Sequence, residues 1–186
     1  PMKLADVFAK HGDAIAAAGG DPNNGWASVL SAVESMPADQ RTAIEADIAV
    51  AFNEQVLLGR VNAGALKAGC IVLLENMWAE HEDPKIAGQY AETRDRLVAE
   101  GYRVYEVPME RECRSLVPDP RKGKNMFVLG MLCNIYSLDM DLARDQIAFI
   151  FGKKDAKVIS SNVALLEAGW QWAESNLDFK YRVPAV

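Results

Sequence analysis

The residues best placed to do chemistry form a short basic run, Arg121-Lys122-Gly123-Lys124, followed by Asn125 at the opening of an apolar helical stretch. A cation and exposed backbone amides at a helix start attract a carboxylate, a phosphate or a partner's backbone. The plainer reading is a solvated loop in which Asn125 caps the helix. Other polar residues close apolar runs: Asn53 and Glu54 after Phe52, Glu75 and Asn76 after Leu74, and the segment from Pro108 after Val107. In open parallel sheets, ligands collect at the carboxyl ends of the strands, where loops and helix starts converge. Asn53 and Asn76 are therefore candidate contacts, against the alternative that they are turn formers.

Several kinds of site find no support. Neither the G-x-x-x-x-G-K-[ST] loop nor the G-x-G-x-x-G turn occurs, so the common phosphate cradles are missing. The two histidines, His11 and His81, fall in segments of different character. Glu80, Glu82 and Asp83 beside His81 read as a solvated loop ahead of a helix. Cys70, Cys113 and Cys133 make no CxxC spacing, which argues against a disulfide framework, a zinc site or an iron–sulfur cluster held by this chain alone. No metal ligand set and no complete catalytic set is expected. A net charge of -6 disfavours nucleic acid, and no apolar run reaches the ~20 residues of a membrane helix. The start, from Pro1 to Asp6, lacks the apolar core of a secretion signal. The cytoplasm is the expected compartment.

The elements that must position these residues change character along the 186 residues. Residues 1–45 read as an all-helical segment. Leu4, Val7, Phe8, His11, Ile15 and Ala18 share a stripe, the run Gly19 to Gly25 breaks it, a second helix covers Trp26 to Met36, and a third follows Pro37. From residue 46 short apolar strands alternate with helices: a strand over 47–52, a helix from Gln55 to Lys67 stopped by Gly69, and a strand at Cys70–Leu74. A helix opened by Asp83-Pro84 and closed by Gly101, and a strand over 102–107, complete the series. This order predicts an α/β fold, a parallel sheet of three or more strands with flanking helices, occupying residues 46–186. Met109 to Lys124 reads as a long polar connection. Three helical stripes follow: Met126, Leu129, Cys133 and Tyr136; Ala143, Ile147, Ile150 and Phe151; Ile159, Val163, Leu166, Trp170 and Ala173. The tail from Asn176 reads as extended, with Phe179, Tyr181 and Val183 alternating.

The order of features resembles the gamma domain of 2-oxoacid:ferredoxin oxidoreductases. Ala46 to Asn53 resembles the strand that begins the domain's second half, and the passage Lys67 to Leu74 and the strand end Val107-Pro108 follow in the family's order. The nearest likenesses are Gly123 to Leu132 and Asn162 to Trp170, which resemble the end of the domain where it is fused ahead of the thiamine-binding alpha region, notably in 2-oxoglutarate:ferredoxin oxidoreductases. The likeness runs from about Glu45 to Val186. Residues 1–45 match neither the glycine-rich opening nor the glutamate–isoleucine–arginine motif, so nothing tied to that end carries over.

The resemblance implies a gamma-type component of a multi-subunit enzyme that oxidatively decarboxylates a 2-oxoacid to an acyl-coenzyme A and delivers electrons to ferredoxin. Thiamine diphosphate and iron–sulfur clusters would sit on alpha and beta partners, with this domain docking alongside and helping to enclose coenzyme A. Within that reading Lys124 attracts an anion, Asn125 makes a helix-start hydrogen bond and Asn162 bonds across helices or to a partner. Two other readings are a stand-alone small-molecule or nucleotide-binding module, and an assembly protein docking through its N-terminal helices.

Overall fold

The computed structural model describes residues 46–181 and, ahead of them, Asp13, Ile15, Ala16, Ala17, Gly19 and Asp21. Of the N-terminal readings, only a fragment falls among these: Asp13 and 15–17 are helical, Ile15 is fully buried, and Gly19 turns at φ +86°. The helices read over Trp26 to Met36 and after Pro37, with His11, lie outside the described residues, as does Val183 of the tail.

Three strands, β1 (Ala46–Ala51), β2 (Leu66–Glu75) and β3 (Arg103–Val107), make one parallel sheet in the order β1-β2-β3. Helices α1 (Glu54–Asn62) and α2 (Pro84–Ala99) connect them, and α3 (Met109–Arg114), α4 (Lys124–Ile135), α5 (Met140–Phe151) and α6 (Ala156–Asn176) follow. The central strand is the most apolar. Cys70 to Leu74 are all at most 2 % exposed, as a strand covered on both faces requires. The chain divides into two compact units, residues 1–73 with 93–105, and residues 74–92 with 106–186. The first has its core in Ile15, Ala51, Leu57, Leu66, Cys70 to Leu73 and Leu97. The second centres on Tyr90, Met109, Phe127, Met131, Leu165 and Leu166.

Local chemistry sets the boundaries. Asn53 caps α1, its side-chain oxygen accepting from the amides of Gln55 (2.8 Å) and Val56 (3.1 Å). The helix stops at Asn62, earlier than the sequence pattern predicts. Gly64 takes φ +66°, its amide donates to the Val61 carbonyl and the next amide, of Ala65, donates to Arg60, which closes the last turn. Gly69 is not the helix stop; it lies inside β2, also left-handed at φ +73°. The two residues after Ala65 are thereby released to the sheet, where Lys67 pairs with Asp47 of β1 at 2.8 Å. Gly101 closes α2 by the same pair of bonds, to Val98 and Leu97.

Two further expectations change. Met109 to Lys124 is not one long irregular connection, because α3 forms within it and buries Met109, Glu110 and Cys113, and a turn of tight helix runs from Pro120 to Lys122. In α5, Met140, Ala143, Ile147 and Phe151 pack inward with Cys133 and Leu166, but Ile150 stays 68 % exposed. The helix presents one stripe inward, and Ile150 lies beyond its edge.

The last two motif segments interlock. A β-carbon at Gly130 of α4 would overlap the Leu166 carbonyl of α6, and one at Gly169 of α6 would overlap the Phe127 carbonyl of α4. Two glycines facing opposite backbones let the helices touch main chain to main chain, which no other residue type allows there. The tail returns along this pair. The Tyr181 amide donates to the Ile135 carbonyl at 2.7 Å, its ring stacks on Tyr136, and Lys180 pairs with Glu174.

Candidate functional site

At the carboxyl end of the central strand, three charged side chains are buried together. Glu75, the last residue of β2, is fully buried; Glu110 is the second residue of α3 and Lys124 the first of α4. Lys124 Nζ lies 2.7 Å from Glu75 Oε2 and 3.1 Å from Glu110 Oε2. Its third proton points to the Met77 sulfur at 3.5 Å. Glu75 also accepts from two backbone amides, Glu110 at 3.0 Å through Oε2 and Met77 at 3.2 Å through Oε1. Arg114 reaches Glu110 Oε1 from the surface at 3.1 Å. Beside this, the Asn76 amide donates to the Val107 carbonyl at 3.0 Å, keeping the ends of β2 and β3 together.

The balance of charge explains the arrangement. A lysine in the first turn of a helix opposes the helix dipole, and a buried ammonium costs several kcal/mol to desolvate. Two carboxylates and a sulfur take all three of its protons, so both costs are offset. Glu75 and Glu110 would repel each other without the ammonium between them. The cluster thus ties the end of β2, the start of α3 and the start of α4 into one knot. The fully buried Cys113 thiol is pushed up to about 11, by its burial first and then by the charge of Glu75. Cys70, in β2, is likewise raised to about 11 by burial, and Cys133 is raised for the same reason. All three are free and protonated at neutral pH, and so poorly suited to nucleophilic work.

The residues singled out in the sequence are not brought into one place. Lys124 is held inside the cluster, its charge directed at Glu75 and Glu110. Asn125 is exposed in the first turn of α4, while the cap position is Gly123 and carries no side-chain hydrogen bond. Asn53 is the cap of α1. Asn76 is half-buried at the end of the strand pair. Asn162 donates to the Val158 carbonyl of its own helix at 2.8 Å and lines a cleft of about 410 Å³ between the 117–123 segment and the start of α6. Val117, Pro118, Val158 and Leu165 form the apolar part of that cleft, and Lys122 and Lys157 stand at it. The basic run is internally compensated: Asp119 holds Arg121 at 2.9 Å and Lys122 at 3.8 Å, and the guanidinium keeps its carboxyl below the usual range.

Two members of the cluster escape the sequence reading. Glu75 is visible only as the polar end of an apolar run, and Glu110 as one acid in a charged segment. The signal available was register: a glutamate directly continuing Cys70–Leu74 shares that strand's burial. Iron–sulfur ligation does not fit the donors present. The three cysteines are each buried in separate elements, and among the described residues no group of three or more His, Cys, Asp or Glu side chains could hold a metal ion.

A three-stranded parallel sheet, a buried lysine–carboxylate knot at its strand ends and a glycine-interlocked helix pair define a small α/β module. The chain belongs to the pyruvate ferredoxin/flavodoxin oxidoreductase family, whose model matches residues 24–172. It is 31 % identical over 137 residues to the ketoisovalerate oxidoreductase subunit VorA of Methanothermobacter marburgensis, a match covering 73 % of this chain and 24 % of that subunit. It is 26 % identical over 147 residues to the 2-oxoglutarate oxidoreductase subunit KorA of Mycobacterium tuberculosis, covering 74 % and 22 %. Its fold matches part of the 2-oxoglutarate:ferredoxin oxidoreductase from Magnetococcus marinus, a structure with 2-oxoglutarate, coenzyme A and succinyl-CoA bound. The TM-score is 0.53 at 21 % identity, over 75 % of this chain and 22 % of that one. The chain therefore spans about a quarter of the length of the proteins it matches. Among the described residues, no helix is long and apolar enough to cross a membrane.

Proposed function

We propose that this chain is a gamma-type component of a multi-subunit 2-oxoacid:ferredoxin oxidoreductase, an enzyme that converts a 2-oxoacid to an acyl-coenzyme A. The observation that carries the proposal is the family match over residues 24–172 together with its scale, a quarter of each oxidoreductase subunit it resembles. Thiamine diphosphate and the iron–sulfur clusters belong, in this reading, to alpha and beta partners, which pass electrons to ferredoxin. This chain contributes docking surface and part of the wall that encloses coenzyme A. Support for the second role comes from the cleft beside Asn162. An apolar floor of Val117, Pro118, Val158 and Leu165 suits a pantetheine arm, and Lys157 and Lys122, the latter shared with Asp119 at 3.8 Å, stand where its phosphates would lie, with Asp119 and Asp155 on the same rim.

Purification from the native cell through a tag on this chain, followed by native mass spectrometry, tests the assignment. The expected result is co-elution with larger chains that contain iron and thiamine diphosphate, with coenzyme A-dependent reduction of ferredoxin by a 2-oxoacid. Elution of the chain without any larger partner, in fractions lacking iron, overturns it. In the assembled enzyme, replacing Lys122 and Lys157 together by alanine is expected to raise KM for coenzyme A several-fold while leaving KM for the 2-oxoacid unchanged.

A further inference from the structure

The two lysines at the cleft beside Asn162 are not equivalent. Lys157, in the first turn of α6, has no ion-pair partner among the described residues. Lys122 does have one, but its ammonium lies 3.8 Å from Asp119 Oδ2, beyond hydrogen-bond reach. Asp119 is held more firmly by Arg121, whose Nε donates to Oδ1 at 2.9 Å and whose Nη2 donates to Oδ2 at 3.2 Å. This two-pronged geometry is the strong form of a guanidinium–carboxylate pair. It keeps the Asp119 carboxyl below its usual range, and so charged at neutral pH. Asp119 and Lys122 line the cleft, whereas Arg121 does not.

Local geometry holds the three side chains together. Pro120–Lys122 is a single tight helical turn, in which the Lys122 amide donates to the Asp119 carbonyl at 3.1 Å. Side chains three apart eclipse in such a turn, which sets Lys122 over Asp119. Gly123 ends the turn against the floor of the cleft. A β-carbon there would meet the Leu165 methyls at 3.0 Å and a Val117 methyl at 3.2 Å, so the backbone lies close on the apolar wall. The turn is thereby seated, while the Lys122 side chain, 85 % exposed, has room to move.

We propose that Asp119 is a counter-anion that sets how readily Lys122 leaves for a ligand phosphate, and that Arg121 is a positioning residue acting through it; both roles rest on the coenzyme A assignment of this cleft. A phosphate that reaches Lys122 has to draw it away from Asp119. The pull of Asp119 is weaker while Arg121 shares its charge. Without Arg121, the whole carboxylate charge falls to Lys122. Without the Asp119 charge, Lys122 is available outright. Lys157 needs no such release, so the phosphate end of the cleft has one standing cation and one whose availability its neighbours set.

Isothermal titration of the assembled enzyme, without 2-oxoacid so that no turnover occurs, tests this with two probes. One is coenzyme A; the other is pantetheine, which has the same arm and no phosphate. Asp119→Asn should bind coenzyme A about two- to five-fold more tightly, the span of a surface ion pair. Arg121→Gln should bind it more weakly by a similar factor, and that loss should shrink in the Asp119→Asn background. Pantetheine should bind all of these proteins alike. Unchanged or weaker coenzyme A binding by Asp119→Asn overturns the proposal, as does an equal change for pantetheine. So does an Arg121→Gln loss of equal size in both backgrounds, the mark of a guanidinium that draws phosphate directly. The coenzyme A assignment fails in a different way: Lys122→Ala/Lys157→Ala then leaves coenzyme A binding unchanged, and the roles of Asp119 and Arg121 fall with it.

Discussion

Lys124 shows how a residue's type fixes its chemistry while its surroundings choose the use. Its ammonium is shared by Glu75 and Glu110 at 2.7 and 3.1 Å, with both carboxylates almost out of solvent. Lys124→Met leaves those two carboxylates facing each other, and losing one partner of a buried ionic group costs about 3–5 kcal/mol. Urea denaturation should show that loss. Adding Glu75→Gln should recover part of it, because one fewer charge is stranded. The thiols give a second residue-level expectation, with its sign fixed. Cys70 and Cys113 lose protons near 9.0 in the unfolded chain and near about 11 in the folded one. Above pH 9 the unfolded state therefore binds fewer protons than the native state. The stability these groups contribute is full below pH 9 and is lost as pH rises toward about 11, at up to ~1.4 kcal/mol per pH unit for each thiol. Denaturation of a Cys70→Ala/Cys113→Ala variant should fall less steeply across that window than the parent.

Among the elements, the α4–α6 pair depends most on single atoms. Gly130 and Gly169 each face a carbonyl of the opposite helix, and neither backbone can rotate away as a side chain would. Gly130→Ala or Gly169→Ala must push the helices apart, a cost at the top of the ~1–3 kcal/mol range of overpacking or above it. Gly88, exposed within α2 with open space around its would-be β-carbon, should behave in the opposite sense. Gly88→Ala is expected to stabilise by about 0.5–1 kcal/mol through helix propensity. Thermal unfolding of the three variants side by side checks both signs. The same pair shows what a sequence motif can record. The segments Gly123–Leu132 and Asn162–Trp170, which resemble a family in sequence, are the two surfaces that interlock, so glycine placement there reflects a steric rule.

For the whole molecule, the net charge of -6 and the pairing of Arg121 and Lys122 with Asp119 leave no broad basic surface on the 117–124 segment. Gel-shift titration with duplex DNA at physiological salt is expected to show no binding, since affinity for phosphate backbones rests on accessible cations. The chain matches about a quarter of the length of much longer oxidoreductase subunits.

Composition and pattern by themselves determined the alternation of strands and helices, the burial of Cys70–Leu74, the stops at Gly101 and the stripe along α6. These depend on neighbours in the chain, through periods of two and 3.6 and through the left-handed turns that glycine permits. The early end of α1 was less legible, because Gly64 and Gly69 can each take φ above zero and only sheet pairing by Leu66 and Lys67 chooses between them. The ion cluster was decided by tertiary structure alone. Glu75, Glu110 and Lys124 lie far apart in the chain; Glu110 and Lys124 look like ordinary surface charges in their own segments, and Glu75 is marked only by its place at the end of an apolar strand. Only when β2, α3 and α4 end and begin at one point do their charges leave water together, with the ammonium set between two buried carboxylates.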